Sequence, residues 1–251
     1  MKHLIKQKLQ AIEKNHEVKI YYACESGSRA WGFPSPNSDY DVRFIYSHGL
    51  DWHLSLRDRN ESIELPIEEQ LDISGWEIKK TLHLLSKSNV PLLEWLQSPL
   101  VYQVDTQFLN DLRALSYLFF SPIAALYHYL SLSKKYFAYC QEGKPLKLKQ
   151  YFYALRTAIA GKWIREQGTM PPTELPKILN IVPTNISHRI HELIVIKSVQ
   201  NEDYRHPAEP LINDFLQETL LENVAVANTL TPAKGDMDAL ENFYRRVVKS
   251  T

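Results

Sequence analysis

The stretch that most restricts the fold lies between residues 18 and 46. Val18 to Ala23 (VKIYYA) is rich in β-branched and aromatic side chains, the composition of a strand. It runs straight into a polar turn, Glu25-Ser26-Gly27-Ser28-Arg29. A second strand is expected from about Tyr40 to Tyr46. Side chains alternate across a strand, so Tyr40, Val42, Phe44 and Tyr46 share one face, and Asp39, Asp41 and Arg43 share the other. The pattern calls for a sheet with one apolar face and a pair of acids at a strand end.

The rest of the chain places this sheet in a larger plan. Residues 2–15 read as a short amphipathic helix, with Leu4, Ile5, Leu9 and Ile12 on one side. Ser55 to Glu64 is charged and turn-prone. Glu69 to Ile73 holds a shorter apolar segment, Leu71-Asp72-Ile73, expected as a third strand. After Gly75 the period becomes helical: Trp76 to Lys87 carries Ile78, Leu82 and Leu85 on one side. Ser88-Asn89 then resembles a cap, with Pro91 in the first turn of the next helix. From about residue 105 only helical periodicity is visible, broken by Pro-containing loops at Thr169 to Pro176 and Val182 to Asn185. The expected class is α+β. Residues 1–105 form a small mixed sheet with flanking helices, and residues 106–251 form a helical bundle that makes the other wall of a cleft.

Composition removes several alternatives. The 251 residues are 44% hydrophobic and 23% charged, ordinary for a folded soluble protein rather than a disordered one. Lys plus Arg and Asp plus Glu are 29 each, which argues against a protein that grips duplex DNA through a uniformly basic coat. A local basic cluster remains, since residues 141–170 carry Lys144, Lys147, Lys149, Arg156, Lys162 and Arg165 against two acids. The acids of residues 200–225 are expected on a solvated surface. Cys24 and Cys140 make neither a disulfide framework nor a zinc site, and fit a reducing compartment. The N-terminus lacks an apolar leader core, and no run approaches the roughly 18 apolar residues of a membrane span. A cytoplasmic protein without a membrane partner is expected.

The chemistry centres on Gly27-Ser28, Asp39-Tyr40-Asp41 and Asp72. Nucleotidyl transfer uses two divalent ions about 3.5–4 Å apart, one activating the attacking oxygen and one holding the triphosphate. Mg²⁺ prefers carboxylate oxygens and keeps waters and phosphates as its other ligands. Residues i and i+2 of a strand point to the same side, so Asp39 and Asp41 offer two carboxylates together. Asp72, on a neighbouring strand, would complete the set. It could instead cap the helix expected near Trp76, although Ser74 is better placed for that; Glu68, Glu69 and Glu77 are the nearby rivals as ligands. Glu25 reads as a solvated or turn-bonding acid. Backbone N–H groups of the turn and the Ser28 hydroxyl could cradle a triphosphate, and Arg29 could add positive charge. Arg43 could approach a phosphate or neutralise the acids when no metal is bound.

These residues carry a resemblance. ESGSRAWGFPSPNSDYDVRF resembles the signature of the DNA polymerase beta-like nucleotidyltransferase superfamily: an apolar strand, Gly-Ser, about ten residues, then Asp-x-Asp. With LDISGWEIKK and NVPLLEWLQSP it resembles the YcgL-type (RlaP) predicted nucleotidyltransferases, and KLKQYFYALRTAIAGKWI is similar to their helical half. The resemblance implies metal-dependent transfer of a nucleoside monophosphate from an NTP, with Mg²⁺ (or Mn²⁺) on Asp39, Asp41 and Asp72. The family's genomic neighbourhoods link it to RNA repair, which implies an RNA end as acceptor. Transfer to a protein or small molecule, and a non-catalytic nucleotide- or RNA-binding module, are the competing expectations. The oligomeric state is not legible.

The helix expected over Lys147 to Arg165 is the next signal. Leu148, Phe152, Leu155, Ile159 and Trp163 form its core stripe, and Lys149, Tyr153 and Arg156 a second one closed by Ala160. The second stripe suits either a nucleotide- or RNA-facing cleft wall or a solvated flank with Tyr153 partly packed. Trp31 and Phe33 could stack on a base, but anchoring the loop is the commoner role. His188-Arg-Ile-His191-Glu192 is not the HExxH of a zinc protease, and neither a P-loop nor a GxSxG elbow occurs.

Overall fold

In a computed structural model, which describes every residue except 69 and 142, the two runs at residues 18–46 are adjacent antiparallel strands. The elements follow in chain order. They are α1 (Lys2–His16), β1 (Val18–Ser26), α2 (Gly27–Trp31), β2 (Tyr40–His48), α3 (Leu50–His53), β3 (Ser62–Glu64), β4 (Leu71–Glu77), α4 (Ile78–Ser86), α5 (Val90–Trp95), β5 (Val101–Val104) and α6 (Thr106–Phe119). Then come α7 (Pro122–Cys140), β6 (Leu146–Lys147), α8 (Leu148–Gln167), α9 (Leu175–Ile178), α10 (Thr184–Val199), β7 (Arg205–His206), α11 (Pro210–Val226) and α12 (Met237–Lys249).

Two compact units are built from these elements. The first comprises residues 1–30, 39–119 and 234–251, and the second residues 31–38 and 120–233. A single boundary near residue 105 does not describe them. The final helix joins the first unit and a short segment near residue 35 joins the second, long-range associations that periodicity does not report.

The first unit holds a five-stranded mixed sheet in the order β3-β4-β2-β1-β5. Only the β2–β4 pair is parallel; β1 runs antiparallel to both β2 and β5, and β3 antiparallel to β4. Val42, Phe44 and Tyr46 sit on one face with Ile5, Leu9 and Ile12 of α1. Leu4, expected with them, is 37% exposed. On the other face Tyr21 stacks on Phe108 at 4.7 Å, and Phe108 meets Phe243 of α12 at 5.4 Å. The strands β3 and β5 and the β6–β7 ribbon lie outside the sequence expectation. Each is four residues or fewer, too short for alternation to register. Trp76, expected in a helix, is in β4, where its ring stacks on Trp95 at 3.9 Å. Asn89 caps α5 as expected, its Oδ1 accepting the Leu92 N–H at 3.1 Å.

The second unit packs around α8, which is buried on more than one side; Leu148, Phe152, Leu155 and Ile159 are in its core, while Trp163 is only partly buried. Among the described residues no single helix is long and apolar enough to cross a membrane.

Candidate active site

Asp41 and Asp72 are brought together by strand register. On the parallel β2–β4 pair, Asp41 is directly opposite Asp72. Neighbouring strands lie about 4.8 Å apart, so both carboxylates stand at the N-terminal end of these two strands. Asp72 caps no helix: it is the second residue of β4, and the cap of α4 is Glu77, whose carboxylate accepts the Lys79 N–H. Ser74 is likewise inside β4.

Arg43 closes the pair. Its Nη2 donates to Asp72 Oδ2 at 2.7 Å and to Asp41 Oδ1 at 3.4 Å. Its Nη1 donates to the carbonyls of Val42 (3.0 Å) and Asp72 (3.2 Å). Of the two roles the sequence left open, this geometry is the neutralising one. Asp39 precedes β2 and is exposed; its carbonyl accepts the Arg29 Nε–H at 3.1 Å. The Arg29 guanidinium also lies over the Tyr40 ring, 3.8 Å from its centre.

Gly27 explains itself by contact. Its φ is +62°, and a Cβ there would stand 2.0 Å from Asp41 Oδ2. Only glycine lets the β1 end pass so close to that carboxylate. Ser28 follows, buried, at the start of α2. The expected Glu25–Arg29 turn is thus the last residues of β1 and the first of this short helix.

Glu25 is not solvated. It is wholly buried, with Oε1 accepting the Asp41 N–H at 2.7 Å and Oε2 accepting the Tyr102 hydroxyl. Burial raises its carboxyl pKa above the usual range, against the lowering effect of those two hydrogen bonds. The sequence concealed this residue because its partner Tyr102 is 77 positions away. Of the rivals to Asp72, Glu68 is exposed and pairs with Lys8 at 2.8 Å, while Glu77 is buried at the opposite end of β4. Glu69 lies outside the described residues.

Lys149, Tyr153 and Arg156 belong to the second unit and are engaged there. Arg156 is 4% exposed, lies 4.3 Å from the centre of the Trp31 ring and donates to the Thr173 carbonyl at 3.3 Å. Tyr153 packs edge-on against Trp31 (5.5 Å) and Tyr136 (4.8 Å). Lys149 pairs with Glu202 at 3.4 Å. Phe33 stacks on Phe152 at 4.8 Å, so Trp31 and Phe33 act as loop anchors. The acids of residues 200–225 are not simply a solvated surface. Glu202 pairs with buried Lys197 at 3.1 Å, and Glu209 with Arg189 and His206.

The donor set suits a hard divalent cation in kind, being carboxylate oxygens at the ends of two adjacent strands. Among the described residues, however, no three His, Cys, Asp or Glu side chains already converge as a metal nest. Arg43 bridges one oxygen of Asp41 and one of Asp72, so a cation held by those same two oxygens would compete with its guanidinium.

β1 ends in Glu25-Ser26, Gly27-Ser28 open a short helix, and Asp41 of β2 stands in parallel register with Asp72 of β4; the family match across the chain makes this a polymerase beta-like nucleotidyltransferase in fold and family. Residues 1–246 match the RNA repair pathway DNA polymerase beta family (RlaP), and the chain belongs to it. It is 40% identical over 239 residues to the uncharacterized protein YcgL of Bacillus subtilis (strain 168), covering 94% of this chain and 92% of that one. The likeness to the crystal structure of a nucleotidyltransferase-like protein from Exiguobacterium sibiricum 255-15 is slight. The TM-score is 0.29 at 10% identity, over 98% of this chain and 80% of that one.

Proposed function

We propose that this protein moves a nucleoside monophosphate from an NTP to an acceptor hydroxyl, releasing pyrophosphate, and that the acceptor is an RNA 3′ end. The observation that carries the reading is the parallel register of Asp41 with Asp72 beside Gly27. Asp39, Asp41 and Asp72 would hold Mg²⁺ or Mn²⁺, which would lower the pKa of the acceptor hydroxyl and neutralise phosphate charge. Gly27 and Ser28 would receive the β- and γ-phosphates through backbone N–H groups and the Ser28 hydroxyl, with Arg29 beside them. Arg43, freed from the two acids, would meet the phosphates. An RNA acceptor is supported by the family's description. Lys149, Tyr153 and Arg156 are proposed to contribute to nucleotide or RNA recognition.

The test is incubation with each labelled NTP, Mg²⁺ or Mn²⁺, and total RNA or protein. Label should enter RNA, and Asp41→Ala should abolish it while the circular dichroism spectrum is unchanged. Label entering protein instead would overturn the RNA acceptor, and full turnover by Asp41→Ala would overturn the assignment of the site.

A further inference from the structure

Asp41 has to present its carboxylate at a fixed point, yet it sits where the β1–β2 ladder ends, at the pair Ser26–Asp41. On the β4 side Asp41 is paired with Asp72, but on the β1 side the ladder stops there, and strand ends fray, so its N–H on that side needs another acceptor. Glu25 supplies it. Every polar group of this residue is used: its N–H donates to the Leu100 carbonyl at 2.8 Å, and its carbonyl accepts the Ser98 hydroxyl at 2.7 Å. The two carboxyl oxygens take the Asp41 N–H and the Tyr102 hydroxyl. Three segments of the first unit, β1, β2 and the stretch from Ser98 to Tyr102, are tied through one fully buried side chain.

A buried acid next to an acidic site invites a second interpretation, as a further metal ligand. The geometry speaks against it. Each oxygen already has a donor, and one of those donors is the backbone of the proposed ligand itself.

We propose that Glu25 is a positioning residue: its carboxyl clamps the Asp41 amide against Tyr102 and so fixes where the Asp41 carboxylate points. This rests on the proposed role of Asp41. The clamp needs an acceptor toward the Asp41 N–H and a partner for the Tyr102 hydroxyl, not a negative charge. Glutamine can provide both, through Oε1 and through its amide group, whereas alanine provides neither and takes away the acceptor of the part-buried Asp41 amide.

The test compares Glu25→Gln, Glu25→Ala, Tyr102→Phe and Asp41→Asn in the full chain, with two readouts. One is hydrogen exchange of the Asp41 amide, which needs no metal; the other is Mn²⁺ affinity by electron paramagnetic resonance. Glu25→Gln should keep exchange and affinity within about threefold of the parent. Glu25→Ala should speed exchange at Asp41 at least tenfold and weaken Mn²⁺ by a similar factor. Tyr102→Phe, which leaves the Asp41 contact in place and serves should Glu25→Ala not fold, should speed exchange by a smaller factor. Loss of Mn²⁺ by Glu25→Gln as complete as by Asp41→Asn would overturn the proposal in favour of direct ligation. Unchanged exchange in both Glu25→Ala and Tyr102→Phe would also overturn it. Should Asp41→Asn leave Mn²⁺ binding untouched, the metal assignment falls, and amide exchange alone decides the clamp.

Discussion

Replacing Arg43 with methionine isolates the conflict between the guanidinium and a metal ion. Methionine keeps the length of the side chain and removes its charge and its donors. In the parent, Arg43 Nη2 reaches Asp72 at 2.7 Å and Asp41 at 3.4 Å. Without it, two carboxylates about 5 Å apart face each other, a repulsion of about 3 kcal/mol at an effective dielectric constant of about 20. The Asp41 and Asp72 side chains are 30% and 31% exposed, so solvent and salt screen the interaction. The net destabilisation expected is about 1 to 2 kcal/mol. The same repulsion is relieved by a divalent ion, which no longer has to displace Arg43. Mn²⁺ should therefore bind Arg43→Met about tenfold more tightly than the parent, the equivalent of about 1.4 kcal/mol. Urea titrations in EDTA give the stability change, and Mn²⁺ titration followed by electron paramagnetic resonance gives the affinity. Arg43→Met that is less stable but binds Mn²⁺ more weakly would refute the reasoning, because Arg43 would then assist the metal rather than compete with it.

Three further outcomes are expected. Gly27→Ala forces a Cβ into Asp41 Oδ2 at a φ of +62°, and should cost about 1 to 3 kcal/mol and lower Mn²⁺ affinity; an unchanged melt would contradict the contact. Lys197→Met removes the nearer of the two cations beside Glu202, leaving Lys149 at 3.4 Å, and should destabilise by about 1 to 3 kcal/mol. Lys197→Met with Glu202→Leu should recover much of that, and urea titration of both variants checks it. Burial raises the Glu77 carboxyl pKa to about 7. A pKa raised on folding means the folded state holds the proton longer, so this contribution is complete below about pH 4.5 and is lost as pH rises through about 7. Burial lowers the His48 pKa to about 4, and the sign is opposite: its contribution is present above about pH 6.5 and lost as pH falls through about 4. Because the two offset each other, Glu77→Gln is the clean probe. The stability of the parent relative to Glu77→Gln should fall by about 3 kcal/mol between pH 4.5 and 8, and a flat difference would exclude a buried neutral Glu77.

The residues that announced themselves were those whose signal is local. β1 declared itself by its β-branched and aromatic composition and β2 by its alternation, each within nine residues, and Asp41 followed from the second. The third strand was legible from Leu71-Asp72-Ile73, but its extension to Glu77 was not, because Trp76 fits a helix stripe as well as a strand. Nothing local gives the register that sets Asp72 against Asp41, since register is a property of two strands. Asp39 shows the limit of the i, i+2 argument: it stands just outside β2, so alternation does not fix its side chain. Glu25 and Lys197 were missed for a shared reason. A charged residue is expected at the surface unless it is paired: the Glu25 partners Tyr102 and Asp41 lie far away in sequence, and although Glu202 is only five residues from Lys197, the Ser35 hydroxyl that completes its buried surroundings is 162 away.

The way the chain is threaded has a consequence for its biosynthesis. Residues 234–251 complete the first unit, and Phe243 of that stretch covers Phe108. A ribosome delivers that stretch only after all of residues 120–233 have been made. The unit that begins first is therefore sealed last, and a chain stalled before residue 234 would expose the aromatic surface around Phe108 to chaperones and proteases.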